Sequence, residues 1–181
     1  MNLPNKLTLL RVCMIPFFVA LAKVDAAWAQ YAAVGVYVLA CATDALDGRI
    51  ARSRNLITNF GKFMDPIADK LLVMSAMIVL TAQGRMPDWA CILMLGREFL
   101  VSGFRLVAVE NGTVIAAGML GKIKTVLQMV STIAIMLFVP VTGEPTALSY
   151  AAWALMYAAT IMTVWSGADY IIKNRECIKD M

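Results

Sequence analysis

Long uncharged runs alternate with short charged clusters along this chain. Positions 26–43, 125–143 and 145–168 contain no charged residue, over 18, 19 and 24 residues. A helix of about 20 residues crosses the ~30 Å hydrocarbon layer of a bilayer. Three further apolar stretches are 7–22 and 89–109, which carry charges near an end or the middle, and 71–84, which is bounded by Lys70 and Arg85. The pattern predicts six membrane-spanning helices, near 7–24, 28–46, 65–83, 88–109, 122–140 and 147–171. None of the runs alternates with the period of two that a membrane barrel needs. The expected fold class is an all-α integral membrane protein, a single six-helix domain over 1–181 with no internal repeat and no soluble appendage.

Composition strengthens this picture. With 61% hydrophobic residues and 15% charged, and a mean hydropathy of +0.74, the chain is outside the range of soluble globular domains. The net charge of +4 matters less than its placement. Lys6, Arg11, Arg49, Arg52, Arg54, Lys62, Lys70, Arg105, Lys122, Lys124, Lys173, Arg175 and Lys179 fall at the N-terminus, the 2–3 and 4–5 connections and the C-terminus. The opposite ends carry only Lys23 and Arg85. The positive-inside rule then puts both termini on the cytoplasmic side, which an even number of spans requires. Lys6 and Arg11 before an apolar run imitate a signal peptide, but Arg11 lies hard against that run and the segment is expected to be retained. Cys13, Cys41, Cys91 and Cys177 lack metal-ligand spacing, and three of them lie in expected spans, so they read as packing residues. The chain has no histidine. Ser-His-Asp triads, histidine–zinc sites and phosphohistidine chemistry are excluded, which leaves proton transfer to carboxylates or another group.

The candidate chemistry is concentrated in one stretch. Four of the 12 acidic residues, Asp44, Asp47, Asp65 and Asp69, fall within 26 positions at the ends of two expected spans. Carboxylates beside lipid are costly unless paired, metal-bound or catalytic. Read as helix, Asp44 and Asp47 are i, i+3 and Asp65 and Asp69 are i, i+4, so each pair shares a face. The polar segment 53–59 and Gly61 mark the turn that would bring the pairs together. Four facing carboxylates repel and raise one another's pKa unless a multivalent cation compensates. An all-oxygen donor set favours Mg²⁺ or Mn²⁺, and two such ions suit phosphoryl transfer. Gly48 and Ala51 lie on the same face as Asp44 and Asp47, leaving room for a ligand against the backbone or for a neighbouring helix. Arg52, one turn on, can fork two oxygens of a pyrophosphate or serve as a topology charge.

The sequence Asp44-x2-Asp47-Gly48-x2-Ala51-Arg52-x8-Gly61-x3-Asp65-x3-Asp69 resembles the signature of the CDP-alcohol phosphotransferase family at every fixed position. The resemblance covers essentially the whole chain. It implies that family's six-helix fold with a cytoplasm-facing site, two divalent ions, a homodimer, and displacement of CMP from a CDP-linked lipid by an alcohol. It also implies metal ligation by Asp44, Asp47, Asp65 and Asp69, with Asp69 as general base toward the acceptor hydroxyl, and contacts from Gly48 and Arg52 to the CDP group. Pro4-Asn5-Lys-Leu-Thr8 resembles the family's N-terminal nucleotide-contacting segment, and Thr58 matches a further polar contact. Asn5 and Thr8 read equally well as N-cap residues opening the first helix.

The acceptor is addressed by the fourth and fifth helices. Arg97 lies well inside an expected span, where a cation is expensive and functional by default. Arg105 follows a little over two turns later on roughly the same face, and Lys122 and Lys124 open the next helix. Together they form a candidate cationic pocket for an acceptor that carries its own phosphate, such as glycerol 3-phosphate or inositol phosphate. The competing readings are a buried Arg97–Glu98 ion pair and a plain interface charge at Lys124. The pattern Arg97-Glu-x4-Ser102-Gly-x-Arg105 followed by Gly121-Lys-x-Lys-Thr125-x2-Gln128 resembles the bacterial members of the family whose acceptor is glycerol 3-phosphate. That resemblance implies CDP-diacylglycerol and glycerol 3-phosphate as substrates, anionic phospholipid synthesis, and residence in the bacterial cytoplasmic membrane. The same family also offers inositol phosphate or phosphatidylglycerol as acceptors. A divalent-cation transporter is a more distant reading, disfavoured because Asp25, Asp88 and Glu144 form no acidic relay across the membrane. An intramembrane aspartyl protease needs two aspartates rather than four beside Arg52. Nothing in the pattern suggests nucleic-acid binding.

Overall fold

The computed structural model describes residues 3–53, 59–110, 115 and 118–175; for 3–4, 44–53, 59–60, 62–63 and 110 it describes the backbone alone. The described residues form six helices and no strand: α1 (Leu3–Ala22), α2 (Ala27–Ser53), α3 (Asn59–Ala82), α4 (Asp88–Glu110), α5 (Met119–Phe138) and α6 (Ala147–Lys173). All six fall where the apolar runs predicted helices. Three are long and apolar enough to cross a membrane: α1 from Asn5, α5 and α6. In α2 the apolar part is the shorter Ala27–Thr43.

The helices extend beyond the expected spans where polar sequence still favours helix. α1 begins at Leu3 rather than near 7, because Pro4 is tolerated in a first turn where its missing N–H has no partner to lose. Asn5 and Thr8 therefore lie inside α1, which removes their reading as residues that cap it. α2 continues through Ser53, so the segment from Asp44 to Arg52 is helical throughout.

The helices cluster into two compact units, 1–83 and 84–181. In the first, α1 packs on α2 and α3. The contact faces are built from small residues that let backbones approach, as helix association in lipid requires. Ala29, Ala33 and Ala40 on α2 and Ala68 and Ala76 on α3 are all fully buried, with Phe18 against Tyr37 at a ring separation of 5.7 Å. Gln83 and Gln30 donate to the Ala22 carbonyl at 2.6 and 3.2 Å and so close the C-terminal end of α1.

In the second unit α6 packs on α5 and α4. Its interior is polar for a membrane protein: Gln128, Ser131, Thr132, Thr160, Thr163 and Ser166 are buried. Most of these hydroxyls donate to a carbonyl three or four residues back on their own helix, as Thr163 does to Ala159 at 2.7 Å. The end of the unit is closed by Arg85. Its Nη2 donates to the carbonyls of Ile135 and Met136 at 2.6 and 2.8 Å, capping α5, while Trp153 Nε1 donates to the Arg85 carbonyl at 3.0 Å. Burial lowers the Arg85 pKa to about 10, below the ordinary guanidinium value. Thr146 and Ser149 form a reciprocal capping box that opens α6. Large apolar side chains, among them Phe17, Trp28, Phe99, Leu106 and Trp165, are exposed, the distribution expected where the surroundings are hydrocarbon.

Candidate active site

The sequence-predicted residues divide between the two units. The first carries the aspartate motif. Asp44, Asp47, Gly48, Ala51 and Arg52 all sit on the last turns of α2 at the spacings that align 44, 47, 48 and 51 on one face; their side chains lie outside the described residues, as does Thr58 altogether. Asp65 and Asp69 sit one turn apart on α3, both half-buried. Pro66 is also within α3, so the turn that carries these aspartates lacks one backbone N–H.

α1 reaches this pair directly. Thr8 Oγ1 donates to Asp65 Oδ1 at 2.6 Å, a charge-assisted geometry that fixes one carboxylate oxygen. Thr8 is fully buried, with Asn5 one turn before it and Arg11 one turn after. The three share a stripe of α1, and Arg11 is 0% exposed. In the sequence Arg11 reads as a topology charge beside an apolar run. Its signal was present, since an arginine three residues beyond Thr8 and inside an apolar run is an intramembrane cation.

Among the described residues no group of three or more metal-ligating side chains gathers. The described donors are nevertheless of the kind that Mg²⁺ or Mn²⁺ takes: two carboxylates at i, i+4, one of them oriented by a hydroxyl.

The second unit carries the basic residues. Arg97 Nη1 donates to Glu98 Oε1 at 3.1 Å and its Nη2 to Ser166 Oγ at 3.1 Å. Lys124, buried on α5, donates to the same Glu98 oxygen and to Gln128 Oε1, the latter at 3.2 Å. Arg97 and Lys124 are thus brought together on one carboxylate. Arg97 Nε is buried with no hydrogen-bond partner among the described residues. Arg105 lies over the Tyr170 ring, 5.4 Å from its centroid, with Nε donating to the phenol oxygen at 3.1 Å. Ser166 and Tyr170 are one turn apart on α6, so Arg97 and Arg105 do use one face of α4, as their spacing predicted. Lys122 is exposed and is not among the residues gathered there.

Several members of this cluster were missed in the sequence. Glu98 was weighed only as the counter-ion of Arg97, and Ser166, Gly167 and Tyr170 not at all. Gly167 admits Arg97: a Cβ there would stand 2.9 Å from Arg97 Cγ. A glycine in an apolar run signals close helix packing, but nothing in the sequence says that the group approaching it is an arginine. A separate apolar groove of about 850 Å³, lined by Trp89, Tyr157, Val164 and Trp165 among others, contains none of the predicted site residues.

The described residues, all helical outside the loops, with membrane-length apolar helices, paired aspartates on adjoining helices and a largely buried basic cluster, have the architecture of an intramembrane group-transfer enzyme. The chain belongs to the CDP-alcohol phosphatidyltransferase family, whose model matches residues 1–165. It is 42% identical to the CDP-diacylglycerol–glycerol-3-phosphate 3-phosphatidyltransferase of Bacillus subtilis, over 98% of this chain and 97% of that protein. The Escherichia coli K12 protein of the same name is 37% identical, over 99% and 98% of the two chains. A Mycobacterium tuberculosis protein described as a probable phosphatidylglycerophosphate synthase is 42% identical, over 95% of this chain and 81% of its own.

Proposed function

We propose that the protein transfers the phosphatidyl group of CDP-diacylglycerol to sn-glycerol 3-phosphate, giving phosphatidylglycerol phosphate and CMP. The observation that carries this reading is the near full-length similarity to two bacterial proteins named for that reaction. The buried Lys124 and the half-buried Arg97 and Arg105 supply the matching chemistry, since an acceptor with its own phosphate is what they would hold. Free glycerol, choline or ethanolamine brings no anion for these cations to hold.

In this mechanism Arg97, Arg105 and Lys124 hold the acceptor phosphate and orient its free primary hydroxyl, and the exposed Lys122 adds positive charge that attracts it. Asp69 accepts the hydroxyl proton as the oxygen attacks the lipid-side phosphorus of the pyrophosphate. The new P–O bond forms as the bond to the bridging oxygen breaks, and CMP leaves with that electron pair. Gly48 and Ala51 leave space for the CDP group, which Arg52, Asn5, Thr8 and Thr58 contact. Thr8 keeps Asp65 in one orientation. Two Mg²⁺ or Mn²⁺ ions held by Asp44, Asp47, Asp65 and Asp69 would neutralise the pyrophosphate and the departing phosphate. Positioning and charge stabilisation account for most of the rate. All six helices cross the bilayer as one catalytic domain, with both termini and the aspartates on the cytoplasmic side of a bacterial inner membrane, and the protein acts as a homodimer.

The test is CMP release by the purified protein with Mg²⁺ or Mn²⁺ and CDP-diacylglycerol, with glycerol 3-phosphate, inositol phosphate or phosphatidylglycerol as acceptor. Turnover with glycerol 3-phosphate well above the other two is expected. Preference for either alternative overturns the acceptor, and no CMP with any alcohol overturns the reaction.

A further inference from the structure

We propose that Glu98 is a positioning residue for the acceptor site, holding Arg97 and Lys124 together so that an incoming phosphate meets both. The inference rests on the acceptor-phosphate reading of these cations and deepens it.

Three observations combine. First, one Glu98 oxygen accepts from Arg97 Nη1 and from Lys124 Nζ, so a single carboxylate ties α4 to α5 through two cations. Second, each cation is held from its other side, Arg97 by Ser166 and Lys124 by Gln128. Their headgroups are fixed rather than snorkelling, and Lys124 is only 3% exposed. Third, Arg97 Nε is buried and makes no hydrogen bond among the described residues, so the assembled cluster keeps a donor for an incoming anion. Without Glu98, Arg97 and Lys124 would repel one another in a low-dielectric setting.

A carboxylate can therefore assist the binding of an anion. It keeps two cations within reach of one ligand, and the cost of bringing them together is met at folding rather than at binding. Gly167 contributes to the same end by letting the Arg97 stem lie flat on α6.

The experiment measures CMP release by the full-length protein in nanodiscs, varying glycerol 3-phosphate and CDP-diacylglycerol in turn, for the wild type, Glu98→Gln and Glu98→Asp. Glu98→Gln keeps the shape but removes the charge. It should raise KM for glycerol 3-phosphate by about tenfold or more and leave KM for CDP-diacylglycerol within about twofold. Glu98→Asp keeps the charge on a shorter stem and should show a smaller rise in the same constant alone. A merely structural role would lower kcat or thermal stability without separating the two KM values. An unchanged or lowered acceptor KM, or a parallel rise in both constants, overturns the proposal. If Glu98→Gln fails to fold, Glu98→Asp decides by the same criteria. The wild type tests the underlying function separately. Should it prefer another phosphorylated acceptor, the KM comparison is made on that acceptor and still decides the role of Glu98; if the wild type releases no CMP at all, both readings fall.

Discussion

Thr8 and Gly167 show how single side chains could govern the two substrate halves from a distance. Thr8 bonds to a proposed metal ligand, so its effect should appear in turnover. A hydrogen bond to a charged group contributes about 1.5–3 kcal/mol net. Thr8→Val keeps the volume and loses that bond, and should lower kcat by roughly 10- to 100-fold. Thr8→Ser should retain most of the activity, and steady-state CMP release checks both. Gly167 acts on the other half. A methyl group 2.9 Å from Arg97 Cγ strikes the base of the side chain, which cannot swing clear as a terminal atom could. Gly167→Ala should therefore raise KM for the acceptor several-fold, with KM for CDP-diacylglycerol unchanged. Equal changes in both constants would count against the Arg97 assignment. The sequence showed why Thr8 and Arg97 were candidates, through motif and burial cost. It could not show Thr8 on Asp65 or Gly167 under Arg97, because those pairings cross 57 and 70 residues of chain and depend on how helices pack.

At the scale of elements, the six helices were legible because membrane-length apolar runs admit little else. Their ends were less so. The hydrocarbon requirement stops at the last apolar residue, whereas the helix stops where backbone partners run out, which is why α1 starts four residues before its expected span and α2 runs on to Ser53. The closure of the second unit was also hidden. Arg85 looked like a stray charge at the less basic end, yet it caps α5 and accepts from Trp153. Arg85→Met should remove both side-chain hydrogen bonds to the end of α5, leaving Ile135 O only its bond from Val139 N–H, and lower the thermal midpoint of the protein, with acceptor KM unaffected. The folded pKa of about 10 is below the ordinary guanidinium value, so folding disfavours the charged form. That cost is constant at any pH below about 10 and is relieved only as pH rises above it. The difference in midpoint between wild type and Arg85→Met should accordingly be flat from about pH 6 to 9, which a series of thermal melts in buffered detergent can check.

At the scale of the whole molecule, the asymmetry of charge makes a topological prediction. The connection after α5 and the residues after α6 should be on opposite sides of the membrane. In spheroplasts a membrane-impermeant maleimide should label Glu144→Cys directly, but Cys177 only after permeabilisation. The reverse pattern, or equal labelling, would falsify the proposed orientation. The buried hydroxyls of α5 and α6 carry a further consequence, for the order in which the protein is made. Because Ser131, Thr132, Thr160, Thr163 and Ser166 are each bonded within their own helix, none of these hydroxyls has to wait for a partner as its span leaves the translocon. α4 differs. Glu98 has Arg97 beside it, but its second cation, Lys124, is synthesised 26 residues later. Stable integration of α4 is therefore expected to follow the arrival of α5, so that the residues proposed to seat the acceptor would also set an order of assembly.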